Sequence, residues 1–274
     1  MALLFAIAPG GCAHAPVNLA SPAKPPSLAA CRAQLSSHQY AEADRCLAAQ
    51  PASDDLKDAS DLTYLRVTAL LYLEDFPHAR QQFATLLDKL RAAGRREGQA
   101  WVHNALTWLA WAEGDLARAL LENELVKRTI VEPSVPADTQ RELLLHYWWD
   151  RAYLLLDVEQ HQSAGGASRA AEDARAEYQR LARLPAEHDG LAVLAAYFAA
   201  RRGQGAVARE AAQTVDASQD GDLQDLYVLA LAFDAGGDRQ AAAQLRTRIA
   251  TGAEYPMKPL ILRQLKRDAA PAPR

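Results

Sequence analysis

His146 and Asp150 stand four residues apart, so on a helix they share a face and can pair, or lend two ligands to a metal. A metal centre needs more donors than these two supply, and a local hydrogen bond is the simpler use. Glu97, Glu113 and Glu122 belong to no catalytic pattern. The chain has no Gly-rich phosphate loop ending in Lys-Ser/Thr and no nucleophile elbow. It also lacks His-Glu-x-x-His and paired-cysteine zinc spacing. The sequence thus points to no catalytic residue, no metal and no cofactor. Its reading is a non-enzyme, with a helical enzyme using a site near His146 and Asp150 as the remote alternative.

The aromatic residues carry a clearer pattern. Trp101, Asn104, Trp108 and Trp111 follow three-and-four spacing and so line one face of one helix. Val102, Leu106, Leu109 and Ala110 take the neighbouring face. Tyr64, Tyr197 and Tyr227 recur on comparable apolar stretches. Tryptophan and tyrosine give large contact area at small entropic cost, which suits them to anchor a partner. The same side chains could instead pack between neighbouring helices, and both readings stand. Trp148 and Trp149 are adjacent, about 100° apart around a helix, so they cannot both enter one layer. Cys31 and Cys46 flank a turn near Ser37-His38-Gln39 almost symmetrically. In a helical hairpin they lie at one height, as a disulfide or as two small buried thiols.

Helices must position these residues. Half of the 274 residues are apolar, dominated by alanine and leucine, so strands are disfavoured. The segment "LYVLALAFDAGGDRQAAAQLRTRIA", from Leu226 to Ala250, is apolar on a helical period, breaks at Gly236-Gly237-Asp238, and resumes through Ala242, Leu245 and Ile249. "AVLAAYFAARRGQGAVAREAAQTVD" precedes it by 34 residues, placing Gly203 against Gly237 and Ala208 against Ala242. Ala43, Ala79 and Ala119 hold the same place in looser copies. A 34-residue period, Gly at the turn and Ala five residues on resemble the tetratricopeptide repeat. That resemblance implies an all-α fold, an α-solenoid of about five to six helical hairpins. "YPMKPLILRQLKRD" would be a C-terminal capping helix over the last apolar face. It also implies a protein or peptide ligand in a concave groove. The groove residues would be Trp101, Asn104, Trp108 and Trp111, with Tyr64 and Tyr227 as weaker members.

Thirty basic and thirty-four acidic residues leave a net charge of −4, and no basic stripe with interleaved aromatics appears, so nucleic acid is not a partner. "MALLFAIAPGGCAHAPVNLASPAKPP" runs from apolar to small residues to Cys12, which resembles the lipobox of bacterial lipoproteins. The resemblance implies a signal segment at 1–12, lipid on Cys12, a tether at 13–27, a helical-repeat domain at 28–268 and a disordered tail at 269–274. It places the chain at the periplasmic face of the outer membrane, or in the periplasm if the segment is another cleaved signal. Membrane contact would be through the lipid alone. The function expected is an envelope scaffold or adaptor. The competing expectation is a cytosolic peptide sensor or regulator with reduced cysteines and no lipid.

Overall fold

The computed structural model describes residues 26–162, 165–182, 189–215, 223–252 and 257–269. The expected signal segment, Cys12, nearly all of the tether and the last five residues lie outside them. Thirteen α-helices and no strand form among the described residues. They are α1 (Leu28–Ser36), α2 (Tyr40–Ala48), α3 (Leu56–Tyr72), α4 (Phe76–Ala92), α5 (Arg96–Glu113), α6 (Leu116–Ile130) and α7 (Ala137–Gln162). α8 (Gly165–Ala182), α9 (Asp189–Arg201), α10 (Gly205–Gln213), α11 (Leu223–Ala235), α12 (Arg239–Thr251) and α13 (Met257–Ala269) complete the series.

Five of the turns are built alike. The residue closing the first helix of each pair is left-handed: His38, Glu74, Gly114, Gly203 and Gly237, with φ between 57° and 82°. Its N–H donates to the carbonyl three residues back, and the next N–H to the carbonyl five back, as in Leu71 and Leu70 for Glu74 and Asp75. That next residue caps the second helix. Asp75, Asp115 and Asp238 do so with the side chain, accepting from the backbone N–H of His78, Arg118 and Ala241. Four residues past the cap stands an alanine, Ala43, Ala79, Ala119, Ala208 or Ala242, and all five are fully buried. A larger side chain there would push the two helices apart. A similar turn at Gly94 leads from α4 into α5.

Consecutive helices pack together from α1 through α8 and again from α9 through α13. The odd-numbered helices also meet one another, α5 on α7, α7 on α9, and α9 on α11. Cys31 and Cys46 are joined by a disulfide, Cα to Cα 5.4 Å, inside a small cluster with Leu35, Ala43, Leu47 and Ala69. One large apolar core runs from α3 to α13. The C-terminal helix was expected to cover only the last hairpin. It packs on α11 and α12, and also on α5 and α3, far back in the chain. It thereby ties the C-terminal end of the fold back to α3 and α5.

Candidate partner-binding surface

The odd-numbered helices converge, and their aromatic side chains fill the space between them. Trp108 and Trp111 meet edge to face, with ring centres 5.1 Å apart. Both also meet the Tyr153 ring at 5.7 Å. Tyr153 stacks flat on Tyr197 at 3.9 Å, and Trp111 reaches Tyr227 of α11 at 5.8 Å. Trp108, Trp111 and Tyr227 are 3 %, 1 % and 0 % exposed. This corrects the expectation that they line an open groove. α5 carries bulky residues on two faces and is buried on both, since Val102, Leu106, Leu109 and Ala110 are buried too.

Two of the polar tips of these rings find a partner on α7, while the Tyr153 hydroxyl is buried without one among the described residues. Asp157, 2 % exposed, accepts from the Trp111 indole N–H at 2.7 Å and from the Tyr197 hydroxyl at 2.5 Å. Arg201 stands 3.5 Å from the same carboxylate and donates to the Tyr227 hydroxyl at 3.2 Å. Two turns earlier, Asn104 donates to Asp150 at 2.6 Å. Asn104 and Trp111 on α5 thus face Asp150 and Asp157 on α7 at equal spacing, with Trp108 against Tyr153 between them. Burial pushes the phenols of Tyr153 and Tyr197 well above the ordinary tyrosine range, so both stay neutral. Asp157 and Arg201 escaped the sequence reading. The available signal was an aspartate inside the leucine run "AYLLLD" seven residues after another aspartate.

His146 and Asp150 lie on one helix, α7, as their spacing implies. Asp150 is buried against Asn104, whereas the exposed His146 ring meets Trp101 edge-on at 5.2 Å. Of the three glutamates that fit no pattern, Glu113 pairs with Arg80, and Glu122 lies buried 2.8 Å from His103 Nδ1. Glu97 borders a shallow recess with Trp101. Of the adjacent tryptophans, Trp149 is buried against Tyr178, while Trp148 is half-buried under the Lys127 ammonium. No three His, Cys, Asp or Glu side chains converge among the described residues.

Two of the expected groove residues do border open space. Tyr64 lies in a cleft of about 440 Å³ between α1 and α3. Leu35, Leu65 and Thr68 line the cleft with it, and Arg32 and Asp61 stand at the exposed rim. The Tyr64 ring is held edge-on against Phe83 at 5.5 Å, which fixes its orientation. Trp101 is half-buried at the α3–α5 recess with Leu56, Ser60 and Leu90. The arrangement therefore offers an apolar floor with charges of both signs at the edge. No described helix is long and apolar enough to cross a membrane. A scan against protein-family models finds no match, and a search of curated proteins finds no relative.

Proposed function

We propose that the chain is a tetratricopeptide-like helical-repeat adaptor that holds a protein or peptide segment in the α1–α3 cleft. The repeat reading rests on the five turns that share a left-handed residue, two matching hydrogen bonds and a buried alanine four residues past the cap. The cleft reading rests on Tyr64, a half-buried aromatic fixed by Phe83 above an apolar floor, with Arg32 and Asp61 at the rim. A short extended peptide with one aliphatic or aromatic anchor matches that size and chemistry. The cell envelope remains the favoured setting. The disulfide within the first hairpin suits an oxidising compartment, and the apolar-to-cysteine order of the first twelve residues suits lipid attachment.

A comparative capture experiment tests the function. Wild type, Tyr64→Ala and Leu65→Asp chains are used as bait against envelope extract, with Trp148→Ala as a half-buried aromatic control. A partner held by wild type and the control but lost from both cleft variants supports the reading. Equal recovery by all four would refute the cleft as the binding site. Intact mass, with and without reductant, tests the address through the lipid and the disulfide.

A further inference from the structure

We infer that the recess between α2, α3 and α4 binds a small molecule, a short linear dicarboxylate. The site is separate from the α1–α3 cleft and does not depend on it. α3 stands between the two. Asp61, Tyr64, Leu65 and Thr68 face the cleft, whereas Ala59, Leu62, Thr63 and Arg66 line the recess on the opposite side of the helix. The recess has a volume of about 170 Å³. Its floor is apolar, with Leu47, Ala59 and Leu86 buried and Leu62 half-buried.

Its charged groups are cationic. Arg66 donates from Nε to Asp44 at 2.9 Å, which fixes the guanidinium plane. The fork of its two terminal nitrogens has no acceptor among the described residues. The half-buried Gln82 lines the same recess, and its side-chain amide is likewise without a partner among them. The Lys89 ammonium donates to the Ser53 carbonyl at 3.2 Å and meets no carboxylate there. No aspartate or glutamate lines the recess. Asp44 answers Arg66 from outside it, so the Lys89 charge is left uncompensated. The two cations are also held apart. Ser53 precedes α3, whereas Arg66 lies ten residues past Leu56, the first residue of that helix, which is about 15 Å along the axis.

A ligand matched to this lining carries an acid at each end and an aliphatic middle. One carboxylate takes the Arg66 fork and the Gln82 amide, and the other takes the Lys89 ammonium. The chain between them lies on Leu47, Leu62 and Leu86. The volume is close to that of a cavity that holds benzene, which leaves room for a chain of about five or six carbons. That size selects a small diacid over a peptide segment.

Calorimetric titration of the full-length chain with adipate, hexanoate and hexanediol tests the site, with amide NMR shifts reporting where each probe sits. Adipate should bind saturably with a dissociation constant of about 1 mM or below. Hexanoate, with one acid, should bind about tenfold more weakly, and the uncharged diol more weakly still. Lys89→Gln should weaken adipate about tenfold and bring it level with hexanoate, with an unchanged melting curve showing that the chain still folds. Gln82→Ala should weaken adipate about threefold. Shifts should centre on Thr63 and Thr85, which line the recess. Absence of saturation by about 20 mM adipate would refute the site. Equal affinity for adipate and hexanoate would refute the dicarboxylate, and adipate binding untouched by both substitutions would place the ligand elsewhere. None of these results bears on the α1–α3 cleft, which Tyr64→Ala tests separately.

Discussion

Asp157→Ala is the sharpest probe of the packing. The carboxylate is 2 % exposed and faces three donors, the Trp111 indole, the Tyr197 hydroxyl and the Arg201 guanidinium. Removing it takes an acceptor from two buried neutral donors and a carboxylate from beside a cation. Breaking a buried charge pair from one side costs roughly 3–5 kcal/mol. The Arg201 side chain keeps 15 % of its surface in contact with solvent, which limits its share, so the lower half of that range is expected. For a domain of this size each kcal/mol moves the melting temperature by about 2–4 °C, giving a fall of roughly 6–16 °C. Asp157→Asn, which keeps one acceptor oxygen, should lose about half as much. Urea denaturation followed by far-UV circular dichroism reads both through the midpoint, with the slope confirming that unfolding remains one cooperative step. A shift of under about 1 kcal/mol for Asp157→Ala would mean that solvent reaches the three donors, and the closed aromatic interior would be wrong.

Gly237→Val should cost about 1–2 kcal/mol from backbone strain alone, because φ is 82° and nothing lies near an added Cβ, and an unchanged melting curve would refute it. Gly205→Ala should cost about 1–3 kcal/mol for a different reason, because its Cβ would fall 2.0 Å from the Ala235 carbonyl oxygen, and only separation of α10 from α11 relieves that. Cys31→Ser with Cys46→Ser should destabilise by about 3 kcal/mol, the value for a loop with 15 residues of separation, and reductant should bring wild type to the same midpoint. Burial, with the Glu124 charge and hydrogen bond adding to it and Arg151 opposing, raises the Tyr147 phenol to about 12 from 10.0. The folded state therefore holds that proton more tightly than the unfolded chain, so the contribution is complete below pH 10 and is lost as pH rises from about 10 to about 12. Tyr147→Phe should flatten that part of the stability-against-pH curve, and a curve superposable on wild type would count against the assignment.

The helical class and the hairpin turns were legible because they depend on local chemistry. Gly203 and Gly237 mark left-handed turns, and Ala208 and Ala242 mark close approaches, each within one turn of a cap. The copies at His38 and Glu74 were harder to see, since their turns reach the same conformation without glycine. Trp108 and Trp111 were placed on the correct face of α5, but what that face meets depends on how steeply the odd-numbered helices converge. That angle is set by packing far away in sequence, such as α10 lying directly on α11 at Gly205 and Gly236. No period in the sequence reports it. The return of α13 to α3 and α5 was hidden for the same reason, because Arg263 finds Glu74 across 189 residues.

The interior explains why tryptophan and tyrosine, rather than leucine, were chosen where the odd-numbered helices converge. Leucines would fill the volume, but they would pack nearly as well if α5 slid one turn along α7. Such a slip moves a side chain about 5.4 Å. Trp111 would then lose Asp157, and Asn104 would lose Asp150. Two buried carboxylates would be left without those donors, a penalty that no apolar contact offsets. Tyr197 and Arg201 extend the same constraint to α9, and the Arg201 bond to the Tyr227 hydroxyl extends it to α11. Four helices are thereby held in one register by directional bonds around a single acid. The consequence for binding is that aromatic area spent on this register is not available to a partner. A partner must use what the hub leaves free, and the Tyr64 cleft between α1 and α3 is one such surface.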